Sequence, residues 1–125
     1  MRPLWGGLLI WVAVAAATAA PLPPPARAEV DRLMSKLEAS GCDFYRNGSW
    51  HTGAEAKAHL LRKLSYLEDK NLVQTTEQFI ELAASTSSIS GQPYLVRCRD
   101  APPVQSGAWF QAELRLLRTA GPAGR

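Results

Sequence analysis

The sequence lacks the local motifs by which most enzymes and metal proteins are identified. Its only two cysteines, Cys42 and Cys98, are far apart, so no Cys-x-x-Cys redox pair is present. No Gly-x-Ser-x-Gly segment offers a serine nucleophile, and the only two histidines, His51 and His59, stand in no recognised zinc spacing. No internal repeat is visible. We therefore predict no catalytic residue, no metal site and no cofactor.

Acidic residues are absent before Glu29, and the positions before it have the three parts of a secretory signal peptide. Arg2 is followed by an apolar run at residues 4–20, and the tripeptide Ala26-Arg27-Ala28 supplies the small side chains that signal peptidase accepts. We predict a signal peptide at residues 1–28, cleaved after Ala28, and hence an exported protein.

Two alternatives to this cleavage stay open. A cut after Ala20 would leave Pro21 at the first mature position, which the peptidase tolerates poorly. Without cleavage, the segment would be a membrane anchor, but its apolar run is near the short end for spanning a bilayer and leads into a proline-rich stretch. We therefore expect no membrane association once the signal is cleaved.

Only a small excess of positive charge remains after this cleavage. Without Arg2 and Arg27 the 14 basic residues become 12, against 11 acidic residues, which gives a net charge of +1. The basic residues are spread among acidic ones, whereas a nucleic-acid binder concentrates them on one face. We therefore expect no nucleic acid among the partners.

Residues 29–118 are long enough for one small domain, followed by a predicted disordered tail at residues 119–125. A domain of this size buries only about two-thirds of its unfolded surface, so it gains from a covalent cross-link. An oxidising compartment would let Cys42 and Cys98 pair, with a stabilisation on the order of 4 kcal/mol in the chain-entropy model. The alternative is a redox-active thiol at Cys98, whose partner is distant in sequence.

Hydrophobic periodicity and turn residues predict an α+β domain of about four helices and a small antiparallel sheet, made of a hairpin and one further strand. Capping patterns at Thr52 and Thr75 indicate two helix starts, and Ser106 is placed to cap the last helix. The predicted elements are helices at residues 29–39, 52–69, 75–85 and after 106, a hairpin at 43–51 and a strand at 94–98.

The Asn47-Gly48 pair is the clearest local signal, because both residues accept the positive φ values of a type I′ turn. A two-residue loop fixes which side chains face each other across the hairpin. The predicted pairs are Tyr45 with Trp50 on one face, and Arg46 with Ser49 and Phe44 with His51 on the other.

Several spacings match a known family. They are Ser40-Gly41-Cys42-x-Phe44-x-Arg46-Asn47-Gly48-x-Trp50-His51, Ala58-His59-Leu60-x-x-Lys63-x-x-Tyr66-Leu67, Glu77-Gln78-Phe79-Ile80 and Ser87-Ser88-x-Ser90-Gly91-x-Pro93-Tyr94-x-Val96-Arg97-Cys98. With these motifs the chain resembles the YfeK-like family of small exported proteobacterial proteins. The resemblance covers nearly the whole mature chain. It implies a periplasmic domain of unknown function and brings no assigned catalytic or binding residue.

Side chains that favour recognition are concentrated on the hairpin and on one stripe of the second helix. Aromatic residues and arginine are enriched at binding hot spots. We therefore predict a non-enzymatic binding or interaction domain of the cell envelope, with an unknown envelope protein or glycan as its partner. The candidate binding surface comprises Tyr45, Arg46, Trp50, His51, His59, Lys63 and Tyr66.

Other interpretations of these residues stay open. An exposed Trp50 beside Arg46 would favour binding, whereas a buried Trp50 would only close the small core. His51 and His59 could serve a small envelope hydrolase, with a serine from residues 85–90 as nucleophile, or bind a metal ion. The hydroxyl-rich turn at residues 87–91 could present backbone N–H groups to an anion.

Overall fold

The computed structural model describes residues 6–12 and 19–120. The remaining parts of the predicted signal peptide and residues 121–125 of the predicted tail lie outside the described residues. Within the described ranges, no helix has both the length and the apolar character needed to cross a membrane. The elements in chain order are α1 (Pro24–Ala39), β1 (Asp43–Arg46), β2 (Ser49–His51), α2 (Gly53–Asp69), α3 (Thr76–Leu82), β3 (Leu95–Arg97), β4 (Val104–Gln105) and α4 (Ser106–Thr119).

These elements confirm the predicted α+β class. The four strands of the described part form one sheet of order β2-β1-β3-β4, in which each neighbouring pair is antiparallel. The hairpin has the predicted register, with Tyr45 opposite Trp50, and Asn47 and Gly48 have φ values of 49° and 88°. Strand β4 was not predicted, because a two-residue strand directly after a Pro-Pro pair is too short to show alternation.

The hydrophobic core lies between the helices and one face of the sheet. Phe44 of β1 and Val96 of β3 are paired in the sheet, and both are buried. The buried stripe predicted for α2 is confirmed, and it consists of Ala56, Leu60, Leu64 and Leu67. The other helices contribute Val30, Leu33, Met34, Leu37, Phe79, Ile80, Phe110 and Leu114.

Helix α1 begins at Pro24, so the predicted start at Glu29 is wrong. Pro23 is the N-cap of this helix, and Pro24 and Pro25 occupy its first turn. Proline is well tolerated there, because the first N–H groups of a helix have no helical partner and the fixed φ of proline suits the helix. The prolines that follow the apolar run therefore start a helix.

The residues just before the predicted cleavage point belong to the packed domain. Leu22 is only 4% exposed, and its N–H donates to the Glu68 carboxylate across 2.7 Å. The carbonyl of Ala26 accepts a hydrogen bond from the hydroxyl of Thr76 in α3 at 3.4 Å. Cleavage after Ala28 stays a prediction, and it would remove both contacts from the domain.

Two of the predicted helix caps are confirmed and one is wrong. The hydroxyls of Thr52 and Thr75 each accept the N–H of the residue three positions later. Helix α4 has Gln105 at its N-cap, and Ser106 is its first helical residue. The N–H of Ser106 donates instead to the Tyr94 carbonyl across 2.8 Å, which ties the start of α4 to the entry of β3.

Cys42 and Cys98 form the predicted disulfide. The bond lies between the residue before β1 and the residue after β3, so it closes the same end of two paired strands. Cys42 is buried at 3% exposure and belongs to the core. The disulfide therefore links the loop after α1 to the centre of the sheet.

Candidate functional site

The Tyr94 hydroxyl is the centre of a polar cluster between α2 and the segment that enters β3. It lies 3.2 Å from Nε2 of His59 and 3.1 Å from Nζ of Lys63. The same Nζ donates to the Thr86 carbonyl across 3.0 Å. Because an ammonium group can only donate, the Tyr94 oxygen accepts from Lys63, and the tautomer of the His59 ring sets the direction of its hydrogen bond with Tyr94. We call His59, Lys63 and Tyr94 the Tyr94 cluster.

Local sequence places each member of the cluster. His59 and Lys63 are four residues apart, so they share one face of α2 beside its buried stripe. Tyr94 is 2% exposed, and its ring packs 5.1 Å from the ring of Phe44. A β-bridge between Thr86 and Pro93 brings the ends of the intervening loop together. The buried tyrosine hydroxyl therefore meets the polar stripe of α2.

The electrostatic environment of the cluster is positive throughout. Burial, together with nearby cations led by Arg46, lowers the pKa of His59 to about 4. Burial followed by Arg46 lowers the pKa of Lys63 to about 8. Burial raises the pKa of Tyr94 against the opposing effect of Arg46. At neutral pH, His59 is therefore neutral and Lys63 is a partly buried cation.

Two adjoining depressions open on the cluster, and together we call them the basic cleft. The larger has a volume of about 420 Å³, and the smaller has about 180 Å³. Neither is lined by an acidic residue. The larger is lined by His59, Arg62, Lys63, Tyr66, Leu67, Leu82 and Ser88, and the smaller by Arg46, Asn47, His59, Lys63, Ser87, Ser88, Ile89 and Tyr94.

The structure brings four of the seven predicted surface residues to this cleft: Arg46, His59, Lys63 and Tyr66. His51 lies on the same face of the hairpin as Arg46, but its Nδ1 is 3.2 Å from the Glu55 carboxylate.

Tyr45 and Trp50 lie on the opposite face of the sheet from Arg46. Their rings are 5.2 Å apart, and the Arg97 guanidinium lies 3.9 Å from the centre of the Trp50 ring. Arg97 is itself paired with the Asp43 carboxylate at 3.3 Å. Trp50 is therefore half-buried under Arg97. This arrangement differs from both alternatives considered for Trp50, because the ring is neither exposed beside Arg46 nor fully buried.

The most important residue that sequence reasoning did not place in the site is Tyr94. It was predicted only as the first residue of a strand. Alternation offered a signal, because Tyr94 and Val96 are two residues apart and both are buried. A buried tyrosine hydroxyl needs a hydrogen-bond partner, and the nearest polar stripe was that of α2. Arg62, which lines the larger depression, was also missed.

The turn at residues 87–91 uses most of its backbone N–H groups in its own hydrogen bonds. The Ser87 hydroxyl accepts the N–H groups of Ile89 and Ser90. The N–H of Gly91 donates to the Ser87 carbonyl, and that of Gln92 donates to the Ser90 hydroxyl. These donors are used within the turn, so they are not available to a ligand of the cleft.

In the described part of the chain, neither histidine is hydrogen-bonded to a serine, since His51 contacts Glu55 and His59 contacts Tyr94. Nucleophile and base must be within hydrogen-bond reach of each other for the triad mechanism. Nor do residues 6–12 and 19–120 bring together three or more His, Cys, Asp or Glu side chains in a group that could hold a metal ion.

The fold and the cleft thus define a small disulfide-bonded α+β domain with a basic cleft on its surface. The chain belongs to DUF5329, a family of unknown function, which it matches over residues 24–118. The match begins at Pro24, where α1 also begins.

A named relative is the uncharacterized protein YfeK of Salmonella typhimurium. The two are 40% identical over 68 residues, which is 54% of this chain and 55% of that protein. The chain thus aligns with about half the length of this relative, and the match confirms the resemblance to the YfeK-like family. No solved structure matches the chain.

Proposed function

We propose that this protein is an exported, periplasmic binding domain of the cell envelope, and that the basic cleft is its binding surface. The partner is an envelope protein or glycan. The observation that carries the proposal is the position of Lys63, whose ammonium is half-buried at the wall of a cleft that no carboxylate lines. A buried charge is normally paired, so this arrangement is typical of a site that a ligand completes.

Two features of the chain support the proposed location. The first residues have the composition of a secretory signal. The Cys42–Cys98 disulfide is a bond that forms and persists in oxidising compartments such as the periplasm. Export also fits an envelope partner, because the domain and the envelope polymers would then share a compartment.

The geometry of the cluster favours binding over catalysis. The His59 ring already engages the Tyr94 hydroxyl, and Lys63 is held by two oxygen acceptors. These contacts fix the side chains at the surface of the cleft. Preorganised side chains lower the entropy that binding costs, so they are suited to recognition without any bond being broken.

Affinity capture tests the proposal. The oxidised protein, purified from the periplasm of a producing strain, is immobilised and exposed to envelope extract beside Lys63→Met and Arg115→Ala variants. Arg115 is a matched control, because it is an exposed cation on α4, away from the cleft. We expect a partner that wild type and Arg115→Ala retain and Lys63→Met loses. No retained partner, or equal retention by all three, would contradict the proposal.

A further inference from the structure

The basic residues of the domain differ in whether they have an acidic partner. Five of those in the described part form ion pairs with carboxylates, namely Arg27, Lys36, Lys57, Arg97 and Arg118. Arg46 and Lys63 form none within residues 6–12 and 19–120, although both are partly buried. Every other partly buried cation in those ranges, which means Arg27, Lys57 and Arg97, is paired.

The two unpaired cations lie on different elements and face one small space. Arg46 ends β1 and Lys63 lies in the middle of α2, and both line the depression of about 180 Å³. Lys63 uses two of its three N–H donors on the oxygens of Thr86 and Tyr94, so one donor stays available. Arg46 makes no hydrogen bond with its guanidinium in the described structure.

These observations assign a chemical class to the ligand. We infer that the smaller depression binds an anionic group, a carboxylate or a phosphate, through Arg46 and Lys63, and that this group is carried by a glycan. The inference rests on the proposed function and specifies its ligand. Charge-assisted hydrogen bonds from arginine and lysine are the strong contacts for such groups.

The larger depression fits the uncharged part of the same ligand. It adjoins the smaller one at His59, Lys63 and Ser88, and it adds the apolar surfaces of Leu67 and Leu82. Tyr66 is 60% exposed at its edge and offers a flat ring with a polar end. A concave site with a few directed donors suits a sugar better than the flat surface of a protein partner.

The depressed pKa of Lys63 agrees with this assignment. An anion placed beside the ammonium would favour its charged form, so binding would raise the pKa from about 8. The groups that face Lys63 are the Arg46 guanidinium from β1, His59 from α2 and the Tyr94 hydroxyl before β3, and Arg62 lines the larger depression beside them. All the charged groups in this set are cations, so the anion would be the only opposite charge.

Three sugars test whether the ligand needs an anionic group, and whether that group is a carboxylate or a phosphate. N-acetylmuramic acid carries a carboxylate, N-acetylglucosamine 6-phosphate carries a phosphate, and N-acetylglucosamine is the neutral counterpart of both. Each is titrated into the ¹⁵N-labelled periplasmic protein at low salt, and amide shifts are followed by NMR. We expect one or both anionic sugars to shift the amides around His59 and Lys63, and the neutral sugar to bind at least tenfold more weakly.

Variants locate the contacts. Lys63→Met and Arg46→Gln should each weaken binding of the anionic sugar about tenfold or more, whereas Lys63→Arg, which keeps the charge, should retain most of it. Arg115→Gln should bind as wild type does. Each variant is first shown to be folded by its amide spectrum. Equal binding of the neutral sugar, or equal loss in Arg115→Gln, would overturn the assignment.

The test separates this inference from the proposed function. If no anionic sugar binds, but envelope capture still depends on Lys63, the inference fails and the proposed binding domain stands. If neither sugar binding nor capture occurs, both fail.

Discussion

Lys63 and Tyr94 are in contact in two ways. The ammonium donates to the tyrosine hydroxyl across 3.1 Å, and Nζ lies 4.8 Å from the centre of the same ring. The hydroxyl thus accepts from a partly buried cation and is also hydrogen-bonded to the neutral His59. One oxygen atom therefore orients two side chains of the basic cleft.

Replacing Tyr94 with phenylalanine should destabilise the domain. The ring would keep its packing against Phe44, while Lys63 and His59 would each lose a polar partner. We expect a loss of about 1 to 2 kcal/mol in the free energy of unfolding, measured by urea denaturation. Tyr45→Phe is the matched control, because the Tyr45 hydroxyl makes no hydrogen bond in the described structure. Equal effects of the two variants would contradict this account.

His59 should make the stability of the domain depend on pH. Its pKa is about 4 in the folded protein, against an ordinary value of 6.5. As pH falls from 6.5 to 4, the unfolded chain takes up a proton that the folded protein resists, so the free energy of unfolding decreases. Above pH 6.5 the ring is neutral in both states, and this loss is absent.

A variant isolates the contribution of His59 from that of other titrating groups. The stability advantage of wild type over His59→Gln should shrink by about 1 kcal/mol between pH 7.5 and pH 4.5, a value discounted for the solvent exposure of the ring. Urea denaturation at the two pH values measures it. An advantage that stays constant, or grows in acid, would show that burial does not depress the pKa of His59.

The contacts of Leu22 predict that the N-terminal boundary of the domain affects its stability. Leu22→Ala should lower the free energy of unfolding by about 2 to 3 kcal/mol, because a buried leucine side chain is removed. If the signal is cleaved after Ala28, as the sequence predicts, the exported domain lacks this contact altogether. The N-terminal mass of the periplasmic protein shows whether Leu22 is retained.

A direct comparison tests the boundary itself. A chain that begins at Glu29 should unfold at a lower urea concentration than one that begins at Ala19. For the substitution Leu22→Ala, the matched control is Leu116→Ala, since Leu116 is an exposed leucine on α4 at 59% exposure. If the two chains were equally stable, the packing of Leu22 would contribute nothing to the fold.

Local interactions explain which parts of the fold could be predicted from the sequence. The hairpin follows from Asn47-Gly48, whose positive φ values fix a two-residue turn and hence the pairing. The caps at Thr52 and Thr75 join a side chain to a backbone group three residues away. Strand β4 depends instead on pairing with β3 across the loop at residues 98–103. The start of α1 depends on prolines, which occur in turns as well as in the first turn of a helix.

The candidate site is predictable only in part, because local sequence patterns indicate only some of its contacts. The α2 stripe of His59, Lys63 and Tyr66 follows from helical spacing alone. That Arg46 joins it, while Trp50 does not, depends on which face of the hairpin packs against the helices. Tyr94 completes the cluster from 31 residues beyond Lys63 in sequence, and no local pattern indicates such a contact.

The Cys42–Cys98 disulfide should account for a large share of the stability. The two cysteines are separated by 56 positions, and closing a loop of that length restricts the unfolded chain by on the order of 4 kcal/mol in the entropy model. Cys42→Ser with Cys98→Ser should lose about this much in urea denaturation. Thiol titration of native wild-type protein should detect no reactive thiol. A loss below about 1 kcal/mol would contradict a stabilising role.

Replacing Gly53 with alanine should destabilise the domain, although helix propensity alone would predict the opposite. It begins α2 against the end of α1, and a Cβ there would lie 2.6 Å from the carbonyl oxygen of Leu37 and 3.1 Å from Cα of Glu38. Propensity alone would favour alanine by up to about 1 kcal/mol. Because backbone atoms cannot move aside without separating the helices, we expect Gly53→Ala to lose about 2 kcal/mol in the free energy of unfolding instead.

Gly107→Ala is the control. Its Cβ would meet the Ser85 side chain, so this variant should lose less stability. Urea denaturation measures the free energy of unfolding of the two variants and of wild type. A Gly53→Ala domain as stable as wild type would show that α1 and α2 do not approach this closely.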